Sequence, residues 1–143
     1  FVPDESLVQA LLSAAQRGVK VTLIVPEKVD SNLVQWASHA FFGDLAAAGV
    51  EVLLFHGGLL HTKSLTADGY MCLFGSLNLD PRSLHLNFEI TLAMYGEEFA
   101  TQLKHLQLSY AANAPRLTPE DWVRRPAYQH LMASSARLVG PLL

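Results

Sequence analysis

The sequence has little to hold it together beyond its own core, and it carries no strong charge of either sign. Cys72 is the one cysteine in 143 residues, so no internal disulfide can form. This fits a reducing compartment, and Cys72, between Met71 and Leu73, reads as a buried apolar filler. No apolar run is long enough to span a bilayer, and no signal peptide is visible. There is no internal repeat and no low-complexity stretch. The formal net charge of −3 argues against a chain built to coat nucleic acid. What is present is apolar: half of the residues are hydrophobic, enough for one globular domain with a real core. The chain opens on Phe1 rather than Met, so residues 1–143 are expected to be a single domain of a larger protein, truncated at the N-terminus.

The first third alternates helix and strand. Asp4 can cap a helix carrying Leu7, Val8, Leu11, Leu12 and Ala15 on one face, stopped near Gly18. The run VKVTLIV (19–25) is β-branched and apolar, as in a strand covered on both faces. Asp30 or Ser31 can cap a second helix through Trp36, Phe41 and Leu45 to Gly49, and VEVLLF (50–55) is the next strand. Such alternation predicts an α/β fold: a mixed β-sheet flanked by α-helices on both faces.

The rhythm then changes. HTKSLTA (61–67) and YMCLFGS (70–76) read as hairpin arms joined by Asp68-Gly69, a strong turn signal. LNLDPRSLHL is irregular, and NFEITLAMY (87–95) is another strand. A helix runs from Gly96 through Tyr110 until Pro115 interrupts it, and TPEDW (118–122) opens another. The tail from Trp122 to Leu143 reads as helical.

The hairpin spends residues on chemistry. Positions i and i+2 of a strand share a face, so His61 and Lys63 project side by side. An imidazole beside an ammonium suits attack on a phosphate: the lysine holds anionic oxygens while the histidine acts as nucleophile or proton donor. Ser76 and Asn78 share a parity after the returning strand and can complete an oxyanion cradle. Glu89, in the next strand, can fix the tautomer of His61. Asp80 and Arg82 can form a local ion pair that shapes the turn.

His61, Lys63 and Asp68 in the pattern H-T-K-(four residues)-D, followed by GSLNLDPRS (75–83) and NFE (87–89), resemble the signature half-site of the phospholipase D superfamily, the HKD motif. The resemblance is closer to the second catalytic half of bacterial cardiolipin synthases. It covers nearly the whole chain, from FVPDESLVQALLSAAQRGVKVTLIVP to EDWVRRPAYQHLMASSARLVGPLL. It implies a phospholipase D-like fold and a phosphatidyl transfer between two phosphatidylglycerol molecules, giving cardiolipin and glycerol through a phosphohistidine. No metal and no cofactor are implied. Carried over by position, His61 is nucleophile or acid/base, Lys63 and Asn78 bind phosphate, Ser76 supports it and Glu89 orients His61. Asp68 belongs to the catalytic signature in a more structural role, and Gly75, Asp80 and Arg82 shape the surroundings. Only one such motif is present, whereas the family pairs two. The partner is then a missing first half or a second copy in a homodimer. The parent protein is expected at the bacterial cytoplasmic membrane, with this piece soluble or peripheral. Another phosphodiesterase of the superfamily, a phospholipase or a homodimeric nuclease, is the alternative, as is an isolated half that only binds phosphate or anionic lipid.

Plainer readings apply elsewhere. His56, His61 and Asp68 lack any established metal-ligand spacing. His39 and His85 read as surface or helix-cap residues, and Trp36, Phe41 and Phe42 as core, with an acyl-chain groove as the alternative use of that helix. Trp122, Arg124, Arg125 and Arg137 fit either a helix lying on an anionic membrane surface or a packed terminal helix.

Overall fold

The structure, a computed structural model, describes residues 1–139, apart from the side chains of Ala127, His130, Arg137, Leu138 and Val139. Helix α1 (Glu5–Gln16) starts where the Asp4 carboxylate accepts the Leu7 N–H at 2.8 Å. It leads to strand β1 (Thr22–Pro26), helix α2 (Asn32–Ala47) and strand β2 (Glu51–Phe55). Ser31, not Asp30, caps α2, its hydroxyl accepting the Val34 N–H. β1 and β2 pair in parallel, Ile24 opposite Leu53, as the crossover through α2 requires.

The hairpin follows as β3 (Lys63–Ala67) and β4 (Met71–Gly75), antiparallel with Leu65 opposite Leu73. A short helix α3 (Pro81–His85) leads to β5 (Thr91–Tyr95), antiparallel to β4, and to helix α4 (Glu97–Ala111). Strand β6 (Arg116–Leu117), helix α5 (Pro119–Val123) and helix α6 (Ala127–Val139) complete the described elements.

The α/β class and the mixed strand sense agree with the sequence, but the strands divide into two three-stranded sheets, β1-β2-β6 and β3-β4-β5. Strand β6 was not anticipated. Two residues after Pro115 carry no strand pattern, and what makes them a strand is their pairing with Val52 and Leu53. The segment taken as irregular holds α3, which Asp80 caps and Pro81 begins. The strand read over 87–95 is shorter, beginning at Thr91.

Each sheet has its own core. Phe41, Phe42, Leu45, Val50, Val52 and Leu117 are buried with Val8 and Val25 between the first sheet and its helices. Each of Phe42, Leu45 and Val52 contributes roughly 1.5–3 kcal/mol through its burial. Phe41 and Phe42 are therefore core residues, as read. Cys72, fully buried with Ala100 and Leu103, fills the smaller core beneath α4. On that face of the hairpin the Gln107 side-chain amide bridges the hydroxyls of Ser64 and Thr66, at 3.1 and 2.7 Å.

The C-terminal region packs on α2. Thr118 and Asp121 form a capping box at the start of α5, and the helix expected to run on from Trp122 breaks before Pro126. The Arg125 guanidinium lies 4.7 Å over the Trp122 ring and meets His39 Nδ1 at 3.1 Å. His39 is thus no surface or cap residue: it sits mid-helix in α2 against Phe42 and Trp122. Burial, helped by the Arg125 charge, lowers its pKa to about 4 and keeps it neutral. For Arg125 the packed reading of the tail holds. Arg124 is exposed, and the Arg137 side chain and residues 140–143 lie outside the described residues.

Candidate active site

The hairpin sets the geometry of the site. Asp68 and Gly69 both have positive φ, 53° and 68°, as the two central residues of a type I′ turn do, and the Tyr70 N–H donates to the Ala67 carbonyl at 3.1 Å. Lys63 and Gly75 face each other at the opposite, open end. Asp68 is therefore separated from Lys63 by the length of β3, roughly 16 Å at strand rise. The structure does not bring the aspartate of the motif to its histidine and lysine; it places Asp68 as a turn former.

At the open end Gly75 has no room for a side chain. A Cβ there would lie 2.1 Å from the Ile90 carbonyl oxygen and 2.8 Å from Thr91 Cα. The absence of that atom lets the segment before β5 press against β4, and Ser76 then secures it. Its N–H donates to the Ile90 carbonyl at 2.9 Å, and its hydroxyl accepts the Ile90 N–H at 3.1 Å. The same hydroxyl donates to the Glu89 carboxylate at 2.5 Å. Ser76, expected to support phosphate, is thus engaged with Glu89 and Ile90.

Glu89 has further partners. Asn87 Nδ2 donates to it at 3.4 Å, and the Ser83 hydroxyl acts on it more weakly. The Ser76 hydrogen bond chiefly holds the Glu89 carboxyl below the usual glutamate range, with Asn87, Ser83 and the nearby Lys63 charge adding to it. Among the described residues no hydrogen bond joins Glu89 to His61. Ser83 and Asn87 were not singled out from the sequence. Ser83 is buried on α3, and its serine-in-helix context gave no sign that it faces a carboxylate six residues on.

Lys63 is half-buried and its Nζ donates to the His61 carbonyl at 2.9 Å, which ties the two motif residues together through the backbone. Burial lowers the Lys63 pKa, while the charges of Glu89 and Asp80 oppose that shift. The ammonium thus feels the charge of two carboxylates, with His61 exposed beside it. Asn78 lies partly buried in the loop after β4, next to Leu79, whose carbonyl accepts the Val2 N–H at 3.1 Å.

The expected Asp80–Arg82 ion pair is absent among the described residues. The Asp80 carboxylate accepts the Ser83 N–H at 2.7 Å as the N-cap of α3, where a helix end offers unpaired N–H groups, and Arg82 is exposed. His85, closing α3, meets the Asp4 carboxylate at 3.2 Å and so links α3 to the cap of α1. His56 faces Glu27 at 3.3 Å rather than His61. Among the described residues no group of three or more His, Cys, Asp or Glu side chains is placed to hold a metal ion.

A family model described as "Cardiolipin synthase, PLD-like domain" matches residues 1–107. Cardiolipin synthase A from Edwardsiella ictaluri is 48% identical over all 143 residues, which correspond to 29% of that protein. Cardiolipin synthase A from Escherichia coli O157:H7 is 49% identical over the same span and share. The chain therefore spans less than a third of the length of these curated relatives. Two solved structures share the fold. Nuc, a phospholipase D family member from Salmonella typhimurium, has a TM-score of 0.70 at 17% identity, covering 81% of this chain and 76% of that one. Phosphatidylserine synthase from Haemophilus influenzae has a TM-score of 0.72 at 16% identity, covering all of this chain and 40% of that one.

Proposed function

The chain belongs to the cardiolipin synthase family of phospholipase D-like domains, and from that premise we propose that it supplies one of two half-sites for phosphatidyl transfer between two phosphatidylglycerol molecules. The observation that carries this reading is the grouping of Lys63, His61 and a carboxylate held by hydroxyls at the open end of one hairpin.

In the proposed reaction a histidine nitrogen attacks the phosphorus of one phosphatidylglycerol. The bond to glycerol breaks, and the histidine of the other half-site gives the leaving alkoxide its proton. The resulting phosphohistidine is attacked by a hydroxyl of the second phosphatidylglycerol, whose proton returns to that second histidine. Cardiolipin and glycerol are the products, and both histidines end as they began. His61 fills one of these two roles. Lys63 and Asn78 hold the non-bridging oxygens, where charge accumulates. Glu89, held chiefly by Ser76, balances the Lys63 charge.

The surface around Glu89 supports a second half. Phe88 is fully exposed and Ile90 is 70% exposed, one on each side of Glu89 in the chain, with Leu86 before them at the end of α3 and Leu92 after them on edge strand β5, both also exposed. Contiguous apolar surface of this kind is a docking surface in soluble proteins. The first half of a longer chain, or a second copy, would cover it and bring the second histidine. The similarity to bacterial cardiolipin synthases supports a site of action at the bacterial cytoplasmic membrane. Among the described residues no helix is long and apolar enough to cross it.

The test is turnover. The parent protein and its His61→Asn variant are incubated with phosphatidylglycerol vesicles, and cardiolipin and glycerol are measured by mass spectrometry. Loss of a group acting directly on phosphorus is expected to lower the rate by at least roughly 10³-fold with the fold intact. Near-normal production of both products by a folded variant would refute the role of His61.

A further inference from the structure

Away from the hairpin, a cavity of about 500 Å³ opens between α2 and the segment from α5 to α6. Asn32, Gln35, Trp36, His39, Arg125 and Gln129 line it. None of His61, Lys63, Asn78 or Glu89 does.

Its chemistry is one-sided. Three amides, a neutral imidazole and an indole surround a single full charge, the Arg125 guanidinium, and no carboxylate is among these lining residues. Asp121 acts on Arg125, but its carboxylate is already occupied by the Thr118 hydroxyl at 2.6 Å and the Thr118 N–H at 3.3 Å. The guanidinium is half-buried and held from two directions, by the Trp122 face and by His39 Nδ1. A fixed guanidinium has five N–H donors, of which His39 takes one, so it retains donors for an anion.

Exposed apolar side chains adjoin the lining residues: Leu33 follows Asn32 on α2, Val123 follows Trp122 on α5, and Tyr128 accepts the Gln129 side-chain N–H on its hydroxyl at 3.2 Å. Met132 is three residues beyond Gln129 and so lies on nearly the same face of α6. A cationic, donor-rich recess inside an apolar rim matches an anionic headgroup whose acyl chains begin at its edge. A freely soluble anion has no use for the rim.

We propose that this cavity binds the phosphodiester anion of a membrane phospholipid headgroup, as a site separate from the one at Lys63. It holds the domain against an anionic bilayer, with Arg125 and the amides on the phosphate and Leu33, Val123, Tyr128 and Met132 in the interface.

The test is carried out on the 143-residue chain with vesicles of phosphatidylglycerol in phosphatidylcholine, read by co-sedimentation and tryptophan fluorescence, and with inorganic phosphate in solution. The variant carries Asn32→Asp and Gln129→Glu. The first substitution puts a carboxylate at the start of α2, where it favours the helix, so loss of fold is not its expected effect. Binding to the phosphatidylglycerol vesicles is expected to weaken roughly ten- to thirty-fold at low salt, from about one unfavourable charge contact per substitution. A chain carrying Gln16→Glu and Gln102→Glu, at exposed positions of α1 and α4 that neither line the cavity nor belong to the hairpin site, adds the same charge and is expected to bind as the parent chain does, which assigns a loss in the double variant to the cavity. Inorganic phosphate is expected to bind the cavity far more weakly than the vesicles. Unchanged vesicle binding in the double variant would overturn the proposal. Phosphate binding as tight as the vesicle binding would also overturn it, by making the site one for a soluble phosphate compound.

Discussion

Replacing Gly75 by alanine tests the packing on which the site depends. The new Cβ would sit 2.1 Å from the Ile90 carbonyl oxygen, and its other close neighbours are also backbone atoms. A carbon and a carbonyl oxygen normally approach no closer than about 3.3 Å, so β4 and the chain before β5 must separate by about 1 Å. That displacement breaks the Ser76 N–H bond to Ile90, at 2.9 Å, and the return bond from the Ile90 N–H, at 3.1 Å. Two neutral hydrogen bonds at about 1 kcal/mol each, with part of the usual overpacking cost of roughly 1–3 kcal/mol, give a destabilisation of about 3 kcal/mol. For a domain of this size the melting temperature should fall by roughly 6–12 °C. The assay is thermal unfolding followed by circular dichroism, with Gly69→Ala as the comparison. A Cβ on Gly69 meets nothing within 4 Å, but its φ of 68° strains any side chain, so that variant should lose only about 1 kcal/mol. A Gly75→Ala chain that melts within about 2 °C of the parent would refute the close approach. Equal losses in the two variants would show that backbone conformation, not contact, makes position 75 a glycine.

Two further outcomes follow from other parts of the molecule. His39 has a pKa of about 4 in the folded chain against 6.5 unfolded, so the unfolded state binds the extra proton between these values and stability falls as pH drops from 6.5 to 4. After allowance for its partial exposure the loss is roughly 1–2 kcal/mol, and denaturant unfolding across that range should show it shrinking in His39→Gln; an unchanged slope would refute the assignment. Asp68→Asn keeps a residue that tolerates positive φ at the hairpin turn, so the parent enzyme should retain more than about half of its activity, whereas a loss of 10²-fold or more, approximately that of a general acid, would give Asp68 a direct part in the chemistry.

The parts of the fold that were legible in the sequence are those set by neighbours in the chain. Asp4, Ser31 and Thr118 each cap a helix through a bond to a residue three positions away. The Asp68-Gly69 turn needs only its own dihedral angles. What depends on distant partners was not legible. β6 exists because Val52 and Leu53 pair with it, and the division into two sheets is a matter of which strand edges meet. The same holds at the site. The parity of His61 and Lys63 assumed a strand from residue 61, but β3 begins only at Lys63 and leaves His61 in the loop before it, joined to Lys63 by the bond from Nζ to its carbonyl. Ser76 was read as supporting phosphate because it shares a parity with Asn78 after the returning strand. Its use by Glu89 and Ile90 follows from the missing Cβ at Gly75, a contact between residues fifteen apart. Asp80 was paired on paper with a nearby charge, yet a carboxylate next to Pro81 at a helix start is better satisfied by backbone N–H groups. His39 was misread because a histidine among alanine and phenylalanine gives no sign of the arginine 86 residues away that it meets.

Helix α3 is five residues long, and an isolated helix of that length is unstable in water. Its attachments are few: the Asp80 cap, the contact of His85 with Asp4, and Ser83, which reaches Glu89. Such a segment opens by itself far more often than the whole domain unfolds. Each opening withdraws Ser83 from the carboxylate and leaves Glu89 to Ser76 and Asn87. The lifetime of one short turn of helix therefore sets how long Ser83 stays beside Glu89. Amide hydrogen exchange at Leu84 and Leu86, whose N–H groups bond within this turn, would count those openings directly. Such openings should grow more frequent on warming well before the domain melts.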